Sequence, residues 1–387
     1  MRITFISNLF PDSDELYRGQ DNANLLHAFP PEYDFRVLSP RPNLRIFNNE
    51  VRSCREIDQR YSPVYLDYFY VPKFGTLFNH IFYNLSLRNY FFKHASEFLP
   101  DVIIVSWAYP DAVSVIMYAN ECGVPVVVIT QGSDVHIYMT MPLRSLIIAK
   151  AMLSANAIIT RSAKLAQILS DTSSALQSVK PIYNGVHQHI FTHCNKLEAL
   201  KKAGLQASEK HLLYVGNFYQ VKNPELLLKA LEIVKNSFPK IGLQLHLIGE
   251  GYLKDKLHHL ASELNLVENV HFHGRKTSVE IATYMQACDL LCIPSFNEGL
   301  PNVLLEALSC GLPVVSTDVG GISEVLHDER FGTLVSTFDP SDYANAINHR
   351  LNLTEDRMQI IDYSKRFSWE NTVQSYINVL DDVVEGR

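Results

Sequence analysis

Short apolar runs recur along the chain, each closed by polar residues or glycine and separated by stretches with helical spacing. Residues 3–7, 101–105, 126–130, 157–160, 211–216, 243–248, 270–273, 290–294 and 313–316 read as buried strands, being short, rich in Val, Ile and Leu, and bounded by turn residues. Residues 144–153, 162–169, 196–203, 224–234, 279–287, 301–311, 340–351 and 369–384 read as helices. Strand–helix–strand alternation of this kind specifies parallel sheets with helical crossovers. In such open sheets, ligands bind beyond the carboxyl ends of the strands. A linker is expected within 187–209.

One segment departs from this rhythm. Residues 61–92 are unusually aromatic, and 78–92 have helical spacing with a broad apolar face. They follow the most basic stretch, with Arg36, Arg41, Arg45, Arg52, Arg55 and Arg60. A helix packed on the first sheet is the favoured reading. An interfacial helix is the alternative, which more lysine and arginine on the polar face than Arg88 and Lys93 would support.

Composition narrows the class. The length of 387 residues suggests two domains, and nearly half the residues are hydrophobic, enough for sizeable cores. Net charge is −7. Basic and acidic residues balance at 16 each through Ile190, leaving 18 and 25 beyond it, so the acidity lies in the second half. That argues against general nucleic-acid binding. The cysteines at 54, 122, 194, 288, 292 and 310 are scattered; Cys288 and Cys292 flank apolar positions without a second ligand pair, which favours core packing over zinc. Free thiols suit a reducing cytoplasm. Met1-Arg2 leads directly into a strand, without the pattern of a signal peptide, and no apolar run reaches membrane-spanning length.

The chemistry concentrates at 295–325. A strand, a polar loop and a helix starting near Pro301 and ending at Gly311 put free backbone N–H groups and a positive dipole end beside Gly299. Glu298 precedes that point and Glu306 lies more than one turn inside the helix. The arrangement suits a nucleotide sugar, with its diphosphate at the helix start, sugar hydroxyls at Glu298 and ribose at Glu306. A plain crossover with two solvated glutamates fits the spacing equally well.

Glu298 and Glu306, with Gly299, Leu300 and Pro301 between them, resemble the glutamate-pair signature of retaining family 4 glycosyltransferases, and the pattern continues through Gly311-Leu312-Pro313 and Gly320-Gly321. The resemblance covers most of 180–385 and residues 1–150 loosely. It implies an α/β fold of two Rossmann-like domains facing a cleft (GT-B). Residues 1–190 would bind the acceptor, 191–369 the donor, and the last helix, about 370–387, would return to the first domain. It implies a donor site of Gly216, Asn217, Lys222, Gly249, Arg275, Glu298, Gly299, Leu300, Pro301, Asn302 and Glu306. Lys222 would hold the diphosphate; Asn217 stands at the family's arginine position and Asn223 at its glycine position. Gly19, Asp134 and His136 are the acceptor-side candidates, with Glu298, Lys222 and Asp134 as the catalytic set. Gln131 stands where a histidine often precedes Gly132, and a turn with a helix cap at Ser133 or Asp134 is the plain alternative.

The implied reaction moves a sugar from a UDP- or GDP-linked donor to a glycan or lipid-linked glycan of the cell envelope. No metal or other cofactor is expected. The expected place is the cytoplasm, with peripheral association at the inner face of the membrane. A same-fold epimerase or phosphorylase, or a non-catalytic sugar-nucleotide binder, are the alternatives.

Overall fold

The computed structural model describes the chain outside residues 45–60, 62, 95–97, 173–175, 177–178, 238–241, 355 and 387. Arg45, Arg52, Arg55, Arg60 and Cys54 therefore lie outside the described residues. The chain divides into two units, Met1–Asn184 with Trp369–Arg387, and Gly185–Ser368.

The first unit is built on a seven-stranded parallel sheet: β1 (Arg2–Ile6), β2 (Asp34–Asn43), β3 (Val64–Phe69), β4 (Val102–Ser106), β5 (Val126–Thr130), β6 (Ala157–Thr160) and β7 (Val179–Pro181), in the order β3-β2-β1-β4-β5-β6-β7. Four of these, β1, β4, β5 and β6, match the apolar runs. The sequence pattern did not mark β2 and β3. Pro40 and Pro42 read as strand breakers, but β1 pairs with β2 only as far as Leu38, so the prolines lie where that edge has no ladder to complete.

Helices cover both faces. Tyr83, Leu87 and Phe91 of Asn79–His94, Ile116 of Val113–Cys122, Ile148 and Met152 of Pro142–Met152, and Leu165 of Ala163–Thr172 share one core. Gln20–Ala28 and the terminal Trp369–Glu385 cover the other, where Tyr376 packs against Phe29 and Arg161 donates to its hydroxyl at 2.8 Å. The helix read at 162–169 runs Ala163–Thr172, with Ser162 Oγ accepting from the Leu165 amide at 3.2 Å.

The second unit holds a six-stranded parallel sheet: β8 (Lys210–Val215), β9 (Leu243–Ile248), β10 (Val270–Phe272), β11 (Leu290–Ile293), β12 (Val314–Thr317) and β13 (Gly332–Val335), in the order β10-β9-β8-β11-β12-β13. Leu212, Leu245 and Leu247 face a core closed by Pro224–Ser237 and Pro340–Asn352. Cys288 and Cys292 are fully buried among apolar groups, and burial pushes both thiols up.

The opposite face of this sheet carries a histidine chain. His211 Nε2 lies 2.8 Å from the Gln206 carbonyl, which can only accept. That constraint places a proton on His211 Nε2, and a chain running in one direction continues from it. His246 Nε2–H donates to His211 Nδ1 (3.1 Å), His273 Nε2–H to His246 Nδ1 (3.0 Å), and the Tyr284 hydroxyl to His273 Nδ1 (3.3 Å). His246 and His273 each accept at Nδ1 in this arrangement and are neutral. Burial, then the neighbouring imidazoles, lowers His246 to about 3; burial, then His271 and Lys276, lowers His273 to about 4.

Candidate functional site

The loops beyond the carboxyl ends of β8, β9, β10 and β11 converge through backbone contacts. Gly249 adopts a φ of 147°, and a Cβ there would lie 1.9 Å from the Gly216 carbonyl oxygen. Only glycine permits that approach. Gly216 N–H donates to the Ile248 carbonyl at 3.0 Å, and Gly249 N–H to the Gly274 carbonyl at 2.9 Å. Arg275 follows directly and is exposed, as is Asn217 in the loop after β8.

Lys222 ends the short turn Gln220–Lys222, and Asn223 closes it at φ 48°. This is the left-handed region, which asparagine tolerates better than most residues. Asparagine therefore fills a position at which the resembling family uses glycine.

Lys222 and Glu298, far apart in sequence, come together. Lys222 Nζ donates to both carboxylate oxygens of Glu298 at 2.7 Å, and Ser295 Oγ donates to Oε1 at 2.7 Å. The Glu298 side chain is 8% exposed and that of Lys222 30%, so the cation is reachable while the carboxylate is held. Phe296 N–H to the Val221 carbonyl (2.8 Å) ties the two loops. Gly320 and Gly321 buttress the next turn: Gly321 N–H donates to the Gly299 carbonyl at 2.6 Å, and a Cβ on Gly320 would meet the Glu298 carbonyl oxygen at 2.0 Å.

The following helix is Asn302–Ser309, capped by Pro301 in extended conformation, so it starts one residue later than Pro301 itself. Leu300, Pro301 and Asn302 are half-buried at its start, and Glu306 is half-buried more than one turn in. Gly311 follows the helix at φ 74°, as its expected stop requires. Ser295 was not singled out from sequence, although it is the first polar side chain after the apolar run and lies three residues before Glu298.

The residues expected on the acceptor side occupy a different setting. Asp134 is fully buried at the start of the short helix Ser133–His136. Its Oδ1 accepts from the amides of Gln131 (3.0 Å) and Gly132 (2.8 Å), and its Oδ2 from that of Ala108 (2.9 Å). These donors precede the helix or come from another loop, so Asp134 is not a helix cap; the contacts commit its carboxylate to backbone. Burial raises its pKa despite those amides. His136 is half-buried on the same turn. Gly19 precedes Gln20–Ala28 at φ 62°, where a Cβ would clash with the Leu9 carbonyl oxygen at 2.2 Å. Arg18, beside Gly19, donates to Glu15 (2.7 Å) and the Asn8 carbonyl (3.0 Å).

The sequence reading missed Asp111, which is fully buried and accepts from the Asn8 amide (2.6 Å), the Asn8 side chain (2.5 Å) and the Tyr83 hydroxyl (2.9 Å). Burial raises it to about 7. A lone acid after Trp107-Ala108-Tyr109-Pro110 carries no local signal of this role.

The fold is α/β with two parallel-sheet domains of the GT-B type. Residues 195–367, all within the second unit, match the family model described as glycosyl transferases group 1. D-inositol 3-phosphate glycosyltransferase from Stackebrandtia nassauensis is 30% identical over 60% of this chain and 55% of its own length. The namesake from Paenarthrobacter aurescens is 27% identical over 57% and 55%. The chain thus spans about half the length of these two relatives. An uncharacterized glycosyltransferase from Methanocaldococcus jannaschii is 27% identical over 73% of this chain and 76% of its own. Among solved structures, sucrose-phosphate synthase from Thermosynechococcus elongatus superposes with a TM-score of 0.78 at 20% identity over all of both chains. Anabaena HepE in complex with UDP gives 0.75 at 18% over 99% of this chain and 100% of its own. Among the described residues, no helix is long and apolar enough to cross a membrane.

Proposed function

We propose that this protein is a retaining glycosyltransferase that moves a sugar from a UDP- or GDP-linked donor to a glycan or lipid-linked glycan acceptor. The observation that carries the reading is the Lys222–Glu298 pair, held beside Gly299 at the start of a helix within the glycosyl transferases group 1 domain. In the bare site, Lys222 neutralises Glu298. A donor diphosphate would compete for Lys222 and for the amides between Gly299 and Asn302, which would stabilise the charge on the leaving group. Glu298, held by Ser295, would then be available to the sugar hydroxyls, and Glu306 to the ribose. Gly216, Asn217, Gly249 and Arg275 would line the nucleotide side. Asp134 would position the acceptor-side loop through its amide contacts, with His136 and Gly19 on neighbouring turns. The reaction so read needs no metal.

The test is thermal stabilisation by a panel of nucleoside diphosphate sugars, on wild type and Glu306→Ala. A shift with one nucleotide class, lost in the variant, is the expected result; the absence of a shift with every donor would sink the reading. Acceptor assays should include inositol 3-phosphate, the compound in the names of the relatives above.

A further inference from the structure

The turn that carries Lys222 has little of its own to hold it. Gln220–Lys222 is one turn of 3-10 helix, a geometry with poor internal hydrogen bonds. Tyr219, Gln220 and Val221 are all exposed, so their side chains do not anchor the turn in the core. Its far end is fixed by buried Asn223 and Pro224, and its near end by Phe218, which is fully buried in the core of the second unit. Tyr219, just before the turn, is extended and gives no side-chain cap to the first amides.

A residue on another loop supplies that cap. The Gln220 amide donates to the Tyr252 hydroxyl at 2.9 Å. The Tyr252 ring also stacks on that of Tyr219, with centroids 5.3 Å apart and planes 13° apart. Tyr252 therefore meets the turn twice, once by a hydrogen bond and once by its aromatic face. Its own backbone is pinned on both sides. Before it, a Cβ on Gly251 would lie 2.5 Å from the Phe218 carbonyl oxygen. After it, Leu253 N–H donates to that same carbonyl at 3.1 Å, and Phe218 N–H donates to the Glu250 carbonyl at 2.9 Å. The Tyr252 side chain itself is 69% exposed and gains little from burial. What a tyrosine adds at this position is its contact with the turn.

The turn is thus held from outside by Tyr252 at Gln220, by the Phe296 amide at the Val221 carbonyl, and by Glu298 at the Lys222 ammonium. A diphosphate that draws Lys222 from Glu298 removes the last of these. The lysine side chain is long and flexible, so its ammonium is then aimed only as well as its backbone is fixed.

We propose that Tyr252 is a positioning residue for the donor diphosphate, acting through Lys222. Its hydroxyl caps the turn and its ring braces it, so that the ammonium keeps its place when Glu298 releases it. The positioning role rests on the proposed function; the cap itself does not.

The test is Tyr252→Phe in the full chain, which removes the hydroxyl and keeps the ring and its stack. In the ligand-free protein, exchange of the Gln220 amide, read by NMR, should speed up about fivefold, while amides of the sheet keep their rates. Affinity for UDP should fall about three- to tenfold, and affinity for UMP, which lacks the second phosphate, should hold. GDP and GMP are the second pair of probes. On a Lys222→Ala background, the same change should cause no further loss of UDP affinity. Unchanged exchange at Gln220 overturns the proposal. So does faster exchange with unchanged nucleoside diphosphate affinity, since the cap then positions nothing. Equal losses for UDP and UMP, or a further loss on the Lys222→Ala background, also overturn it, because Tyr252 would then touch the nucleotide itself. If neither UDP nor GDP binds the wild type, the donor reading falls and the positioning role with it, and faster Gln220 exchange in the variant would establish the cap alone.

Discussion

Both units place carboxylates at the carboxyl edge of a parallel sheet, and they treat them differently. In the second unit, Glu298 is held by side chains, Lys222 and Ser295, and the cation is partly exposed. Side-chain partners can rotate away or exchange for a ligand. In the first unit, Asp134 is held by three backbone amides and Asp111 by the Asn8 amide, the Asn8 side chain and Tyr83, both in full burial. Backbone partners cannot leave without moving the loop. One edge is therefore equipped for exchange with an anion, and the other is knit into fixed loops.

The sharpest way to break this contrast is Lys222→Ala. If Lys222 serves the leaving diphosphate, acceptor-dependent release of nucleoside diphosphate should fall on the order of 10²–10³-fold, and the melting temperature should fall as well, because Glu298 loses its cation in near-complete burial. Steady-state assays on the variant would show it; an activity loss under about fivefold would place Lys222 outside the reaction.

Next in size is Gly249→Ala. The new Cβ cannot coexist with the Gly216 carbonyl, so the loops after β8 and β9 must part. Destabilisation of about 2–4 kcal/mol is expected, together with loss of donor-induced stabilisation. Denaturant melts with and without donor measure both.

Asp134→Asn tests the knit edge. The amide that replaces the second oxygen cannot accept, which strands a buried backbone donor at a cost of about 1–3 kcal/mol. Donor stabilisation should persist, since the proposed donor residues lie in the other unit. Its disappearance would place Asp134 in the donor site rather than in the first unit's scaffold.

A further effect is in pH, and its sign separates the units. His246 and His273 hold pKa values of about 3 and 4, below that of an unfolded histidine. Their contribution is whole above about pH 6.5 and is lost as pH falls toward 4, by about 1–3 kcal/mol per unit for the pair. Asp111, raised to about 7, works oppositely: its contribution is whole below about pH 4 and is lost as pH rises toward 7. Acidification from pH 7 to 5 should thus weaken the second unit relative to the first. Hydrogen exchange resolved by unit should show this, and His246→Phe should flatten the second unit's response.

How much of this was legible varied with the range of the interaction. The alternation of apolar runs with helical stretches carried the α/β class, and most strands and helices appear within a few residues of where periodicity put them. Gly311 could be read because a glycine at a helix stop has a local meaning, which its φ of 74° bears out, whereas Gly249 and Gly320 entered only through the family resemblance. β2 was hidden by Pro40 and Pro42, whose tolerance depends on where β1 ends.

The sequence alone therefore determined what neighbours along the chain can settle: period, caps, turns and the supply of Glu298, Lys222, Asp134 and the histidines. Tertiary structure decided what each would do. It brought Lys222 to Glu298, wrapped Asp134 in amides, lined His211, His246 and His273 into one directed chain, and laid Tyr252 against the turn that carries Lys222. The physical reason is that burial and partnership belong to pairs of segments, set by strand order and crossover packing. A residue type is the same in solvent, in a core or beside a ligand until those pairs form.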